Sequence, residues 1–90
     1  MSGAFAYHAE LKKRLRRIEG QLGGVLRMME TGSDCKAVIT QLSAVRSATD
    51  KAIAQIVAEN LQYCLVQSEG DSAAQAEQVK KAIKLLTKSR

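Results

Sequence analysis

Apolar residues recur every three or four positions along most of the chain, which is the pattern of amphipathic α-helices. The first series predicts a helix from about residue 7 to residue 30. Its apolar members are Leu11, Leu15, Ile18, Leu22, Val25 and Met29. A turn is predicted next, because Gly32 suits the left-handed position after a helix and Ser33 or Asp34 suits the N-cap of the following one.

The second series predicts one long helix that contains both cysteines, since no Gly or Pro occurs between residues 33 and 69. Its first stripe is Cys35, Val38, Leu42, Val45, Thr49, Ala52 and Ile56. The neighbouring stripe is Ile53, Val57, Asn60, Leu61, Cys64 and Leu65. A helix that is apolar over so much of its circumference is expected to be buried by more than one neighbour.

A shorter third helix is predicted after a break at residues 68–71. Ser72 with Gln75 fits a capping box at its start. Its apolar positions are Ala76, Val79, Ile83 and Leu86, and it ends at residues 88–90. Residues 1–90 are therefore predicted to form a single all-α domain of three helices, with a short lead at residues 1–7. A chain of 90 residues buries a limited part of its surface, so long amphipathic helices favour association with further chains.

The two cysteines, Cys35 and Cys64, cannot meet within one helix. They are roughly 43 Å apart at a rise of about 1.5 Å per residue, whereas a disulfide needs Cα atoms within about 7 Å. A second copy of the helix, laid antiparallel with the two-fold axis near Thr49 and Asp50, brings Cys35 of one chain to Cys64 of the other, and does so twice. The spacing thus predicts two inter-subunit thiol sites in an antiparallel dimer.

The surroundings of the two thiols differ. The first turn of a helix, with Lys36 nearby, favours the thiolate form of Cys35, and Asp34 opposes it. Cys64 lies far from any helix start, so the pair suits a reaction in which Cys35 attacks first and Cys64 of the neighbouring subunit resolves. Asn60, one turn before Cys64, is predicted to line the same site, and its amide is a poor ligand for soft metals. Two buried cysteines without chemistry remain an alternative.

The charge of the chain favours an anionic partner such as nucleic acid, with a net charge of +5 and a pI of about 9.5. Basic residues fill five of the six positions from 12 to 17, on the side of the first helix away from its apolar face. The candidate DNA contacts are Lys13, Arg14, Arg16, Arg17, Arg46 and Lys51, with Lys12 and Arg27 beside them. Such a patch predicts salt-dependent phosphate contacts. An ordinary charged helix face is the alternative.

Several function classes are disfavoured. No long apolar run opens the chain, so neither a signal peptide nor a membrane span is expected and the protein is predicted to be cytoplasmic. In a reducing compartment, two cysteines favour a metal site, a redox switch or inert thiols over a permanent bridge. His8 is interpreted as a surface residue. No general base or nucleophile pair accompanies the thiols, so neither an enzyme nor a cofactor is expected.

Residues 14–22, RLRRIEGQL, and residues 34–46, DCKAVITQLSAVR, resemble the bacterial copper-sensing operon repressor family (CsoR, RcnR and FrmR types). The resemblance covers roughly residues 10 to 88. It implies a three-helical protomer, a flat homotetramer built from two antiparallel dimers, and repression of transcription until an inducer acts on a site between subunits. Arg14 and Lys51 match basic positions implicated in the family, whereas Arg17 is proposed from the basic patch.

The family's copper sensors use a Cys, a His and a second Cys, and the matching positions here are Cys35, Asn60 and Cys64. They also place a Tyr before the first Cys and a Glu on the third helix, where this chain has Asp34 and, by a gapped alignment, Gln78. The Cys-Asn-Cys set is similar to the persulfide-sensing CstR-type branch. The resemblance therefore implies a repressor that is released from double-stranded operator DNA when persulfide or polysulfide cross-links Cys35 and Cys64 of neighbouring subunits.

Two alternatives stay open. Cu(I) held by Cys35 and Cys64 alone would keep the fold and change the inducer. A helical protein-interaction or metal-carrier module without a DNA role would leave the basic patch as a solvated surface.

Overall fold

The computed structural model describes residues 7–89, and this part of the chain consists of three helices joined by short turns. Helix α1 spans Ala9–Glu30, α2 spans Cys35–Gln67 and α3 spans Ser72–Lys88. The all-α prediction is confirmed, including the single long helix that carries both cysteines. Most of the predicted lead, residues 1–6, and the terminal Arg90 lie outside the described residues.

The turn between α1 and α2 forms as the sequence predicts. Gly32 has a φ of +80°, and the N–H of Ser33 donates to the carbonyl of Met28 at 2.8 Å, the bond that defines a Schellman ending. Asp34 caps α2, because its Oδ1 accepts from the N–H of Ala37 at 2.9 Å. Cys35 is consequently the first residue of α2.

The predicted capping box of Ser72 and Gln75 is wrong. Asp71, extended at φ −121° after Gly70 at φ +88°, is the N-cap of α3, and its Oδ1 accepts from the N–H of Ala74 at 3.0 Å. Because Asp71 takes this role, Ser72 is already helical. The Gln75 side chain instead donates from Nε2 to the carbonyl of Leu65 at 3.1 Å, which gives that carbonyl near the end of α2 a partner on α3.

The chain divides into two compact units. One is His8–Ala52, which holds α1 and residues 35–52 of α2. Its buried apolar residues are Leu11, Ile18, Val25, Val45 and Ala52. The other contains residues 53–89, with the rest of α2 and α3, and its buried apolar residues are Val57 and Ala82. The core of each unit is thus small, as expected for a chain of this length.

Large apolar side chains remain exposed on each helix. On α1 they are Leu15, Leu22, Leu26 and Met29, and on α3 they are Val79, Ile83, Leu85 and Leu86. The residues that mark α3 in the sequence therefore lie on its solvent side, while Ala82 is buried and Gln75 and Gln78 are half-buried. No helix among the described residues is long and apolar enough to cross a membrane.

Candidate thiol site and basic groove

Cys35 is an exposed thiol at the start of α2. The Asp34 side chain caps the N–H of Ala37, and the Asp34 carbonyl accepts from the N–H of Val38 at 3.2 Å. These bonds fix the helix start at Cys35, so the thiol lies in the first turn, as the sequence predicts. An exposed thiol in this position is accessible to a dissolved electrophile.

Cys64 is a half-buried thiol whose neighbour is an amide. Its S–H donates to Oδ1 of Asn60 at 3.9 Å. Asn60 therefore lies beside Cys64, and its role in a sensing site stays a prediction. The Nδ2 atom of Asn60 is shut off from solvent and has no hydrogen-bond partner among the described residues. The Ser68 hydroxyl donates to the Cys64 carbonyl at 2.8 Å, which anchors the last turn of α2 beside the thiol.

Cys64 and Asn60 line a cavity of about 400 Å³ in the unit of residues 53–89. The other lining residues are Val57, Leu61, Tyr63, Gln78, Lys81, Ala82 and Leu85. Gln78, singled out by the family resemblance, therefore lies at the same cavity as Cys64. The sequence gives no reason to single out Lys81, although its spacing from Gln78 and Leu85 places the three on one side of α3.

The residues present do not fit a three-ligand metal site within one protomer. Among residues 7–89, no group of three or more His, Cys, Asp or Glu side chains is close enough to hold an ion. The Cys64 sulfur is hydrogen-bonded to a neutral amide, which is a weak ligand for the soft metals that thiolates prefer. Both thiols are free in the protomer.

Three of the predicted DNA contacts lie together in the other unit. Lys13, Arg14 and Arg17 line a shallow groove of about 270 Å³ with Glu10. Lys13, Arg14 and Arg17 follow Glu10 by three, four and seven residues, so the four positions lie on one side of α1. Glu10 is not among the predicted contacts, although the same spacing places it beside them. The groove places three cations beside one carboxylate, and we refer to it as the basic groove.

The other predicted DNA contacts do not line the basic groove. Arg16, Arg46 and Lys51 are exposed side chains on α1 and α2. Their role in DNA binding stays a prediction, as does that of the three groove residues.

The described part of the chain is thus all-α, with a basic groove on α1 and a thiol beside a cavity lined by residues of α2 and α3. Comparison with known proteins identifies the family. The model of the metal-sensitive transcriptional repressor family matches residues 7–88, and the chain belongs to this family. It is thus a transcriptional repressor of the CsoR-like kind.

Several relatives are similar over most of the chain. It is 46% identical over 63 residues to the uncharacterized protein YrkD of Bacillus subtilis, which covers 70% of this chain and all of YrkD. It is 38% identical over 65 residues to the copper-sensing transcriptional repressor RicR of Mycobacterium tuberculosis, covering 72% of this chain and 68% of RicR. The copper-sensing transcriptional repressor CsoR of Bacillus subtilis is 28% identical over 82 residues, covering 89% of this chain and 81% of CsoR.

Proposed function

We propose that this repressor senses reactive sulfur and leaves its operator when persulfide or polysulfide cross-links Cys35 of one subunit to Cys64 of its neighbour. The observation that carries the proposal is the pair of free thiols on one uninterrupted helix, with an amide rather than an imidazole hydrogen-bonded to Cys64. Two thiols suffice for sulfur chemistry, whereas a soft metal gains little from the amide.

The proposed reaction needs no oxidant besides the persulfide. The exposed Cys35 thiolate attacks the sulfane sulfur of a persulfide, RS–SH. A new S–S bond forms, the RS–S bond breaks, and RS⁻ leaves with the bonding electrons. The Cys64 thiolate of the neighbouring subunit then attacks Sγ of the persulfidated Cys35, and hydrosulfide leaves. The products of one persulfide and two thiols are one disulfide, one thiol RSH and one H₂S.

A trisulfide forms if both cysteines are first persulfidated. The terminal sulfur of one then attacks Sγ of the other, and hydrosulfide leaves. Two persulfides are consumed and two RSH are released. In either case the bridge joins two subunits and opens again when a thiol reductant attacks it.

The bridge requires an assembly in which the two α2 helices run antiparallel. The apolar side chains left exposed on α1 and α3 support association, since a soluble protomer gains by burying such surface against a second copy. We propose the antiparallel dimer as the unit that holds two thiol sites, and a dimer of dimers as the DNA-binding form.

DNA binding is assigned to the basic groove. Lys13, Arg14 and Arg17 offer three cations on one face of α1, a suitable arrangement for adjacent phosphates. Arg16, Arg46 and Lys51 are proposed to add phosphate contacts outside the groove. Two or more copies of this surface in the assembly would follow successive stretches of one duplex. Cross-linking would hold these copies in a spacing that no longer matches the DNA.

The second candidate is a Cu(I) sensor that uses Cys35 and Cys64 of neighbouring subunits as a two-coordinate site. The similarity to repressors that are named copper-sensing favours it. The fold, the dimer and the DNA surface are the same in both proposals, and only the inducer differs.

Fluorescence anisotropy with labelled operator DNA separates the two candidates. The reduced protein is expected to bind, and a persulfide donor is expected to release the DNA until dithiothreitol restores binding. Cu(I), supplied anaerobically with a strong competing chelator, is expected to leave the complex intact. Release by chelator-buffered Cu(I) without release by persulfide would replace the sulfur proposal with the copper one.

A further inference from the structure

The cavity beside Cys64 has features that the cross-linking reaction does not use. Its volume of about 400 Å³ lies at the lower end of the range of roughly 300–1,000 Å³ for small-molecule sites. A direct bond between the Cys35 and Cys64 sulfur atoms does not require a cavity of this size. Its apolar wall includes Val57, Leu61 and Leu85. The cavity is thus large enough for a compact organic molecule that has a carbon chain.

The polar groups of the cavity favour an anion. The Nδ2 atom of Asn60 is a donor that is shut off from solvent and has no acceptor among the described residues. Gln78 and Lys81, both on α3, also line the cavity, the first half-buried and the second exposed. No Asp or Glu occurs among the described residues that line the cavity. A ligand with negatively charged oxygen atoms would give the Asn60 donor an acceptor and would attract the ammonium group of Lys81.

We propose that this cavity binds the carboxylate end of a low-molecular-weight organic persulfide, and that Lys81 makes the sensor selective for such carboxylates. This inference rests on the proposed function and names the class of its inducer. The ammonium group of Lys81 pairs with the carboxylate, the amides of Asn60 and Gln78 donate to it or to the sulfur chain, and the apolar wall contacts the carbon chain.

The cavity would hold the persulfide where both thiols can reach it. Cys64 lines the cavity, and the proposed dimer brings Cys35 of the partner subunit to Cys64. The Cys35 thiolate of the partner subunit attacks the sulfane sulfur, and the carboxylate-bearing thiolate leaves with the electron pair of the broken S–S bond. Lys81 acts here as a specificity residue, because it holds the end of the inducer that does not react.

The selectivity is tested with two persulfides that differ only at the far end. The persulfide of 3-mercaptopropionate carries a carboxylate, and the persulfide of 2-mercaptoethanol carries a neutral hydroxyl. Rates of cross-linking are measured by rapid quenching and intact mass spectrometry. Wild-type protein is expected to react roughly twofold to fivefold faster with the carboxylate, the scale of one exposed charge pair. Lys81→Gln should lose this preference, and Lys80→Gln, a neighbour that does not line the cavity, should keep it.

Equal rates with both donors in the wild type would overturn the inference, even if cross-linking proceeds. So would an equal loss of preference in Lys80→Gln, because that result would reflect net charge alone. If neither donor cross-links the wild-type protein, the result contradicts the proposed persulfide sensing itself and not only the role of Lys81.

A binding measurement with an unreactive ligand tests the anion site independently of the cross-linking reaction. The unreactive thioether 3-(methylthio)propionate should shift the side-chain amide NMR signals of Asn60 in the wild type and in Lys80→Gln, but not in Lys81→Gln. No shift in the wild type would refute an anion site at this cavity.

Discussion

Asn60 provides Cys64 with a hydrogen-bond partner that suits either protonation state of the thiol. With the thiol protonated, Oδ1 accepts from the S–H at 3.9 Å. Rotation of the amide by half a turn would present Nδ2 as a donor to the thiolate instead, since an amide carries both functions. The residue therefore fits a thiol that must change its charge during a reaction. It fits a Cu(I) ligand set poorly, because its oxygen is hard and neutral.

Replacing this amide by an imidazole tests which inducer the site is built for. Asn60→His would complete a Cys-His-Cys set. Residues that only hydrogen-bond to a metal ligand change metal affinity by roughly 10–100-fold. An imidazole that binds the metal directly should therefore raise the Cu(I) affinity by at least that factor. Competition with a Cu(I) chelator measures the change, with Asn60→Ala as the matched control that adds no ligand. An unchanged Cu(I) affinity in Asn60→His would mean that residue 60 does not face the bound metal.

Glu10 is the one carboxylate among the described residues that line the basic groove. If this groove is the DNA contact, Glu10 would repel the phosphates that Lys13, Arg14 and Arg17 would attract. Glu10→Gln should therefore tighten operator binding by about twofold to fivefold at moderate salt, the scale of one exposed charge interaction. Glu19→Gln is the matched control, because it removes the same charge from an exposed position of α1 outside the groove. Equal tightening in both variants, measured by anisotropy, would argue against this groove as the DNA contact.

The ends of the helices are set by local chemistry, which explains how much of the fold the sequence predicts. Gly32 and the Asp34 cap lie where the pattern places them, because each acts through its own backbone and its nearest neighbours. The N-cap of α3 differs from the predicted one because Asp71 and Ser72 are both good N-caps, and the sequence does not show which one is extended. Gln75 then bonds to Leu65, ten residues away, a contact that no local rule anticipates.

The role of Asp71 as the N-cap of α3 has a measurable consequence for stability. Asp71→Ala should lower the free energy of unfolding by about 1 kcal/mol, since it removes the acceptor for the Ala74 N–H. Ser72→Ala should change it by only a few tenths of a kcal/mol, because Ser72 is the first helical residue and not the cap. Urea unfolding followed by circular dichroism at fixed protein concentration compares the two. A larger loss of stability in Ser72→Ala than in Asp71→Ala would indicate that Ser72 is the N-cap and would support the capping box.

The faces of the helices are harder to predict than their ends. On α3, the apolar series of Val79, Ile83 and Leu86 remains exposed, while Gln75 and Gln78 turn inward. Periodicity identifies an apolar side but not the surface that covers it. For the same reason the cavity and Lys81 could not be predicted from the sequence, whereas Asn60 could, being one turn from Cys64 on the same helix.

At the scale of the whole molecule, the protomer has features that favour assembly with further copies. Its two thiols are free, its buried cores are small, and apolar side chains such as Leu26, at 60% exposure, face solvent. An assembly of copies would use all three features at once, because association buries the apolar surface and pairs each Cys35 with a Cys64. We therefore propose that each sensing site is formed by two chains.

Mixing two single variants tests this claim most directly. Homodimers of Cys35→Ala or of Cys64→Ala have one thiol in each proposed site, so neither should be bridged by a persulfide donor. A heterodimer of the two has one site with both thiols and one with none. After subunit exchange, intact mass under denaturing, non-reducing conditions should show one reversible bridge between a Cys35→Ala chain and a Cys64→Ala chain. No heterodimer bridge in the mixture, or equal bridging in either variant alone, would contradict the account.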